Sequence, residues 1–230
     1  RLPETRDMTV TSLTLKSRDG FEFGAVRVEP KGARKGGLIL VQEIFGINSF
    51  MIDAARRFAA QGYEVLLPSM FDRQKPGFAR EDHSPEAIAE GGGYARANGL
   101  DAAMADIGAC VDALERPVYI AGFCYGGSIA YIAACRLRGL AASAAYYGSL
   151  LPSFKAAAPN CPSIAHFGRH DAHIPMDGVD AFIAARHDVP VYVYEAGHGF
   201  ARQGSDDHDQ PADALAFQRT LELFDRALIR

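Results

Sequence analysis

Short apolar runs, broken at intervals by glycine, proline and charge, set the rhythm of this chain. Residues 10–15 and 21–28 read as strands, and the turn signal Arg18-Asp19-Gly20 between them predicts a hairpin. Leu38-Ile39-Leu40-Val41 is a continuous apolar run, the look of a buried parallel strand, reached through a Gly/Lys-rich loop at 31–37. Helix character runs from Ser49 or Phe50 to Ala60, Gly62 stops it, and residues 63–68 form the next strand. Residues 100–114 read as helix, ended by Arg116-Pro117. Strands at 118–121, 141–147, 163–168 and 189–194 then alternate with helices at 129–134, 178–185 and 212–228. The alternation predicts one α/β domain over residues 1–230, with a mostly parallel central sheet covered by helices on both faces.

Residues 69–99 break the rhythm with Pro76, Gly77, Pro85, a helical patch at 85–90 and Gly91-Gly92-Gly93. Two placements are open. The insert lies over the carboxyl ends of the strands, where α/β sheets bind ligands, or it is a plain crossover with an irregular surface.

Composition narrows the function. With 230 residues, 48% of them hydrophobic, the chain can bury one sizeable core. A net charge of -4 argues against a broad nucleic-acid footprint, and no apolar run is long enough to span a membrane. The four cysteines, Cys110, Cys124, Cys135 and Cys161, form no Cys-x-x-Cys pair, so neither a zinc knuckle nor a thioredoxin-type site is expected. Their sparse use points to a reducing, cytoplasmic compartment. Residues 1–7 lack the apolar core of a signal peptide, and the missing initiator Met suggests an N-terminus that is trimmed or left out.

The strongest chemical signal is Gly122-Phe123-Cys124-Tyr125-Gly126-Gly127, between a strand and an apolar, helix-compatible run. This is the pattern of a nucleophile elbow with Cys in place of Ser. The side chain of such a turn points into open space, and glycines let strand and helix approach. The helix start offers N–H groups and a dipole that favour a thiolate and can hold an oxyanion. A phosphate loop is excluded because no Lys-Ser or Lys-Thr follows the glycines. The competing reading is a buried structural cysteine at a tight junction.

A nucleophile needs a base and an orienting acid. Asp171 follows the strand at 163–168, and His198 follows the strand at 189–194. The order Cys124, Asp171, His198 is the nucleophile–acid–histidine order of hydrolase triads. His170 and His173 are rival histidines with no similarly placed acid, and His166, His170, Asp171 and His173 match none of the usual metal spacings. Glu43 directly follows the apolar strand and reads either as a solvated loop acid or as a carboxylate beside the thiol. The backbone N–H groups of Ile44 and Tyr125 are candidate oxyanion donors.

Taken together, Gln42-Glu43-Ile44-Phe45-Gly46, the Cys124 elbow, Gly168-x-x-Asp171 and Gly197-His198-x-Phe200-Ala201-Arg202 resemble the dienelactone hydrolase (carboxymethylenebutenolidase) family. The resemblance runs from about Val10 to Leu228. It implies an α/β-hydrolase fold without a large cap, a Cys-His-Asp triad and no cofactor or metal. It implies opening of a dienelactone ring to maleylacetate, as in bacterial breakdown of chloroaromatics. Glu43 then matches the family's carboxylate that holds the thiol or its proton at rest. As a like-charge pair with a thiolate, it should share one extra proton with it. Arg202 matches one of two arginines that bind the substrate carboxylate. The second falls near Ile88, and Arg80 and Arg96 are nearby in sequence as replacements. The expected partner is a small anionic lactone or ester, with no nucleic acid and no membrane, and the protein is expected to be a monomer or weak homodimer. The expected mechanism is acyl transfer to Cys124 and hydrolysis of the thioester with His198. The alternatives are a broader carboxylesterase or thioesterase, and a non-catalytic thiol sensor.

Overall fold

The opening hairpin forms as its pattern requires: β1 (Val10–Lys16) pairs antiparallel with β2 (Glu22–Val28), and the Asp19 side chain accepts the Phe21 N–H across the turn at 3.1 Å. The computed structural model describes residues 8–228, so the reading of residues 1–7 lies outside the described residues. β2 pairs antiparallel with β4 (Tyr63–Pro68), and β4 pairs parallel with β3 (Gly36–Val41). Eight strands form one mostly parallel sheet in the order β1-β2-β4-β3-β5-β6-β7-β8. Every residue of β3 is buried, as a strand covered on both faces must be. The chain divides into two compact units, and the boundary, between Tyr119 and Ile120, falls inside β5 (Val118–Phe123).

In the first unit, α1 (Ser49–Ala59) starts where Asn48 caps it by accepting the Met51 N–H at 3.2 Å. The main departure from expectation lies in the insert. α2 runs from Pro85 to Ala113, with one non-helical residue, Gly99, at φ 70°. The triple glycine read as irregular is therefore helical. Its physical reason is a close approach: a Cβ on Gly91 would lie 1.9 Å from the Ile44 carbonyl oxygen, so only glycine lets α2 cross the loop after β3. The same loop is held by Arg80 N–H to Phe45 O at 2.8 Å and by Asn48 Nδ2 to Arg80 O at 3.1 Å. The insert thus lies against the carboxyl end of β3, the first of its two possible placements.

The second unit continues β5 into α3 (Tyr125–Arg136), β6 (Leu140–Tyr146), a short 3-10 turn at Leu151–Phe154, β7 (Ser163–Gly168), α4 (Met176–Ala185), β8 (Val191–Tyr194) and α5 (Gln210–Leu228). β6, β7 and β8 pair in parallel. β8 begins two residues later than its apolar run because Pro190 has no N–H to give a ladder. α5 is tied to the sheet by buried polar groups. His166 Nδ1 meets the Tyr194 hydroxyl at 3.0 Å, His166 Nε2 meets Thr220 Oγ1 at 3.0 Å, and Tyr146 Oη meets the same Thr220 oxygen at 2.7 Å. Among the described residues no helix is long and apolar enough to cross a membrane.

The glycines of α2 give a paired stability test. Gly91→Ala should destabilise by about 1–3 kcal/mol through overpacking against Ile44. Gly93 has nothing within 4 Å of a built Cβ, so Gly93→Ala should stabilise by about 0.5–1 kcal/mol by relieving the helix of a glycine. Urea unfolding of both variants checks the opposite signs.

Candidate active site

Cys124 stands between β5 and α3 with φ 55° and ψ -115°, a backbone region that side chains rarely adopt. Neighbours enforce it. The Cys124 N–H donates to Tyr146 O at 3.0 Å, and the Cys124 carbonyl accepts from Ser128 N at 3.1 Å. A Cβ on Gly122 would lie 2.1 Å from Gly126 O, and one on Gly127 would lie 2.3 Å from Tyr146 O. These glycines close the turn and leave the thiol half-buried at the N-terminus of a 12-residue helix. Tyr125 is the first residue of α3, so its N–H lies in the first turn of the helix, beside Cys124.

The candidate acid and base, Asp171 and His198, come together through another close approach. A Cβ on Gly168 would lie 2.4 Å from Ala196 O, which brings the turn after β7 against the turn after β8. His170 N–H donates to Ala196 O at 3.0 Å and locks the two turns. Asp171 Oδ1 accepts the N–H groups of His173 at 2.7 Å and Ile174 at 3.2 Å. Its Oδ2 lies 2.7 Å from His198 Nδ1. That leaves Nε2 of His198 for the Cys124 thiol, with which the imidazole is hydrogen-bonded. Burial alone would push the His198 imidazolium down, but the hydrogen bonds and charges of Asp171 and Cys124 outweigh it and raise His198 to about 10.

Two rings face His198. Tyr147 packs at 5.0 Å and 59°, and His173 packs at 4.9 Å and 74°. Tyr147 is fully buried, has φ 36°, and is held by its N–H to His166 O at 2.7 Å. Sequence reading passed over Tyr147, whose only signal is an aromatic at the end of a predicted strand. It treated His173 as a rival base and as a member of a metal cluster, not as a neighbour of His198. The other rival, His170, does have an acid, since its Nε2 lies 3.0 Å from Glu195 Oε2, but the pair is exposed. Among the described residues no group of three His, Cys, Asp or Glu is placed to hold a metal ion.

Arg202 is buried rather than on the surface, 5% exposed, and its Nη1 donates to Asp207 Oδ2 at 2.7 Å. Its guanidinium lies over Gly199, where a Cβ would meet Cζ at 3.0 Å, so the side chain runs beside the residue that follows His198. Cys124, Tyr125, Asp171, His198 and Arg202 all belong to the second unit, and Glu43, Ile44, Arg80 and Arg96 to the first. Glu43 is 1% exposed, which excludes a solvated loop acid. The preceding Gln42 frames it, donating from Nε2 to Glu43 O at 3.1 Å and accepting Met70 N–H at 3.1 Å. Arg80 is engaged by Asp82 through Nε and Nη2 at 2.8 and 3.0 Å, and by Glu90 through Nη1 at 2.9 Å. Asp82 first and Glu90 with it push the guanidinium's pKa up. Arg96 is exposed on α2.

The strand order, with a cysteine elbow after β5, an aspartate after β7 and a histidine after β8, makes this an α/β-hydrolase fold. The sequence profile of the dienelactone hydrolase family matches residues 23–228, and the chain belongs to that family. It is a hydrolase of the class that cleaves lactone and ester bonds. It is 28% identical to a carboxymethylenebutenolidase of Pseudomonas putida over 94% of this chain and 96% of that one. It is 30% identical to a carboxymethylenebutenolidase of another Pseudomonas strain, over 95% of this chain and 96% of that one. The crystal structure of a candidate dienelactone hydrolase from Klebsiella pneumoniae superposes with a TM-score of 0.82 at 26% identity, covering 94% of this chain and 99% of that one.

A raised histidine pKa is a stability statement. His198 binds its proton more tightly folded, at about 10, than at its ordinary 6.5. Its stabilising contribution is therefore fully present below about 6.5 and is lost as pH rises through about 10. Wild type should lose more Tm between those limits than His198→Gln does. Equal losses in thermal melts across that window would count against the ion pair.

Proposed function

We propose that this protein opens the ring of dienelactone-type lactones, carboxymethylenebutenolide to maleylacetate, through a Cys124 thioester. The observation that carries this reading is the hydrogen-bonded chain from Asp171 Oδ2, 2.7 Å from His198 Nδ1, through the imidazole to Cys124. The thiol proton resides on His198, whose imidazolium is favoured up to about 10, and Asp171 orients the ring and supports its charge. The thiolate attacks the lactone carbonyl, and Tyr125 N–H receives the developing oxyanion. The C–O bond of the ring breaks, and the ring oxygen leaves as an enolate still tethered through the acyl group. Such a leaving group is stable and needs little protonation, which suits a sulfur nucleophile. Water activated by His198 or by the enolate then hydrolyses the thioester. Glu43 as accessory carboxylate and Ile44 N–H as second oxyanion donor rest on the family pattern. Arg202, buried and beside the His198 turn, is the candidate for the substrate carboxylate. Four free cysteines support a reducing, cytoplasmic setting.

A second reading, an esterase for small neutral esters or lactones, is favoured by one observation. Arg80 already answers Asp82 and Glu90 in full, and Arg202 already answers Asp207, so an anionic substrate must compete for both cations. Turnover of cis- and trans-dienelactone against uncharged aryl esters separates the two readings.

Cys124→Ala and His198→Ala should each abolish nearly all hydrolysis while far-UV circular dichroism stays native. Asp171→Asn should lower kcat by up to about 10⁴-fold, since the imidazole loses its orienting acceptor. Normal turnover in Cys124→Ala would sink the thioester scheme.

Arg202→Leu should raise KM far more for a lactone bearing a carboxylate than for its methyl ester. Equal losses on both substrates would show that Arg202 does not read the charge.

A further inference from the structure

An anchored histidine is not yet an oriented one. The bond between Asp171 Oδ2 and His198 Nδ1, 2.7 Å long, fixes one end of the imidazole and an axis through it. It leaves the ring free to turn about that axis, and Nε2 would then swing away from the thiol. Something must fix the plane. Two rings touch His198, Tyr147 at 5.0 Å and His173 at 4.9 Å, both steeply inclined to it. Inclined aromatic pairs are attractive beyond the area they bury, because the edge of one ring meets the face of the other.

We propose that Tyr147 and His173 are positioning residues that clamp the plane of His198, with His173 as the outer jaw. The proposal rests on the reading that His198 activates Cys124. The inner jaw is immobile. Tyr147 is fully buried at a left-handed φ of 36°, and its N–H is tied to His166 O at 2.7 Å. Besides Cys124, it is the only non-glycine residue with positive φ among the described residues, and such strain persists where the surroundings over-determine it. The outer jaw is carried by the acid itself. His173 donates its backbone N–H to Asp171 Oδ1 at 2.7 Å, so the turn that holds the end of the imidazole also presents the ring that holds its face. His173 is exposed, so its ring can be changed without disturbing the core. What the position requires is a flat ring and not a base, which also answers why a histidine beside His198 need not serve as a rival base.

The test uses the full-length protein. His173→Ala removes the outer jaw, and His173→Phe keeps a flat ring without ring nitrogens. His173→Ala should lower kcat about tenfold or more, in line with the sensitivity of catalysis to small misplacements, and leave KM within about twofold. It should also slow iodoacetamide alkylation of Cys124 at pH 7. His173→Phe should restore both rates to within about threefold of wild type. Melting temperatures should be alike, since the side chain is exposed. Tyr147→Phe should behave as His173→Phe does. An unchanged kcat in His173→Ala, or equal losses in the Ala and Phe variants, overturns the clamp. Cys124→Ala is run alongside: full turnover there defeats the thiol-nucleophile reading itself, a result distinct from failure of the clamp.

Discussion

The backbone bond from Cys124 N–H to the Tyr146 carbonyl, 3.0 Å long, is the constraint on which the second unit's site depends. Holding a cysteine at φ 55° costs on the order of 1–3 kcal/mol. One hydrogen bond returns a net of about 0.5–1.5 kcal/mol, so it does not hold the turn alone. The remainder comes from packing that only glycine permits, Gly122 against Gly126 and Gly127 against Tyr146. The end of β6 is therefore as much a part of the elbow as β5 and α3. It presents the carbonyl that fixes Cys124, and one residue later the Tyr147 ring that faces His198.

The same economy of chain operates on the other side of the imidazole. Gly168 allows the turns after β7 and β8 to touch, and the short stretch from Asp171 to Ile174 then supplies the acceptor for Nδ1, two N–H groups for the far carboxylate oxygen, and a flanking ring. Asp171 and His198 are separated by 27 positions in the chain, yet they cannot drift apart without breaking the close contact of two loops.

Features whose causes are local were legible in the sequence. Cys124 stood out because its glycines act on immediate neighbours, and Asp171 and His198 because each ends an apolar run. The strands and most helices followed from their rhythm for the same reason. Features with distant causes were not legible. The helical glycines near 91–93 read as irregular because their intrinsic preference is poor, whereas Gly91 answers to the Ile44 carbonyl, 47 positions away in the chain. Tyr147 was missed because its role depends on where β6 stops relative to the turn after β8. Arg80 read as a candidate for the substrate carboxylate although Asp82 stands two positions away, and its second partner, Glu90, is supplied by α2.

His166 carries a further meaning. Thr220 Oγ1 donates to Ala216 O, so its lone pairs receive Tyr146 O–H and His166 Nε2–H. Arg219 donates to the Tyr194 oxygen, which leaves the Tyr194 O–H to point at His166 Nδ1. Every bond in this relay runs one way and has room only for a neutral ring. Burial first, and Arg219 after it, push His166 down to about 3 from an ordinary 6.5. An extra proton on Nδ1 would set two donors face to face. As pH falls from about 6.5 toward 3, the unfolded chain thus takes up a proton that the folded chain refuses, and stability drains away. The buried relay that fastens the last helix also makes the fold less stable in acid.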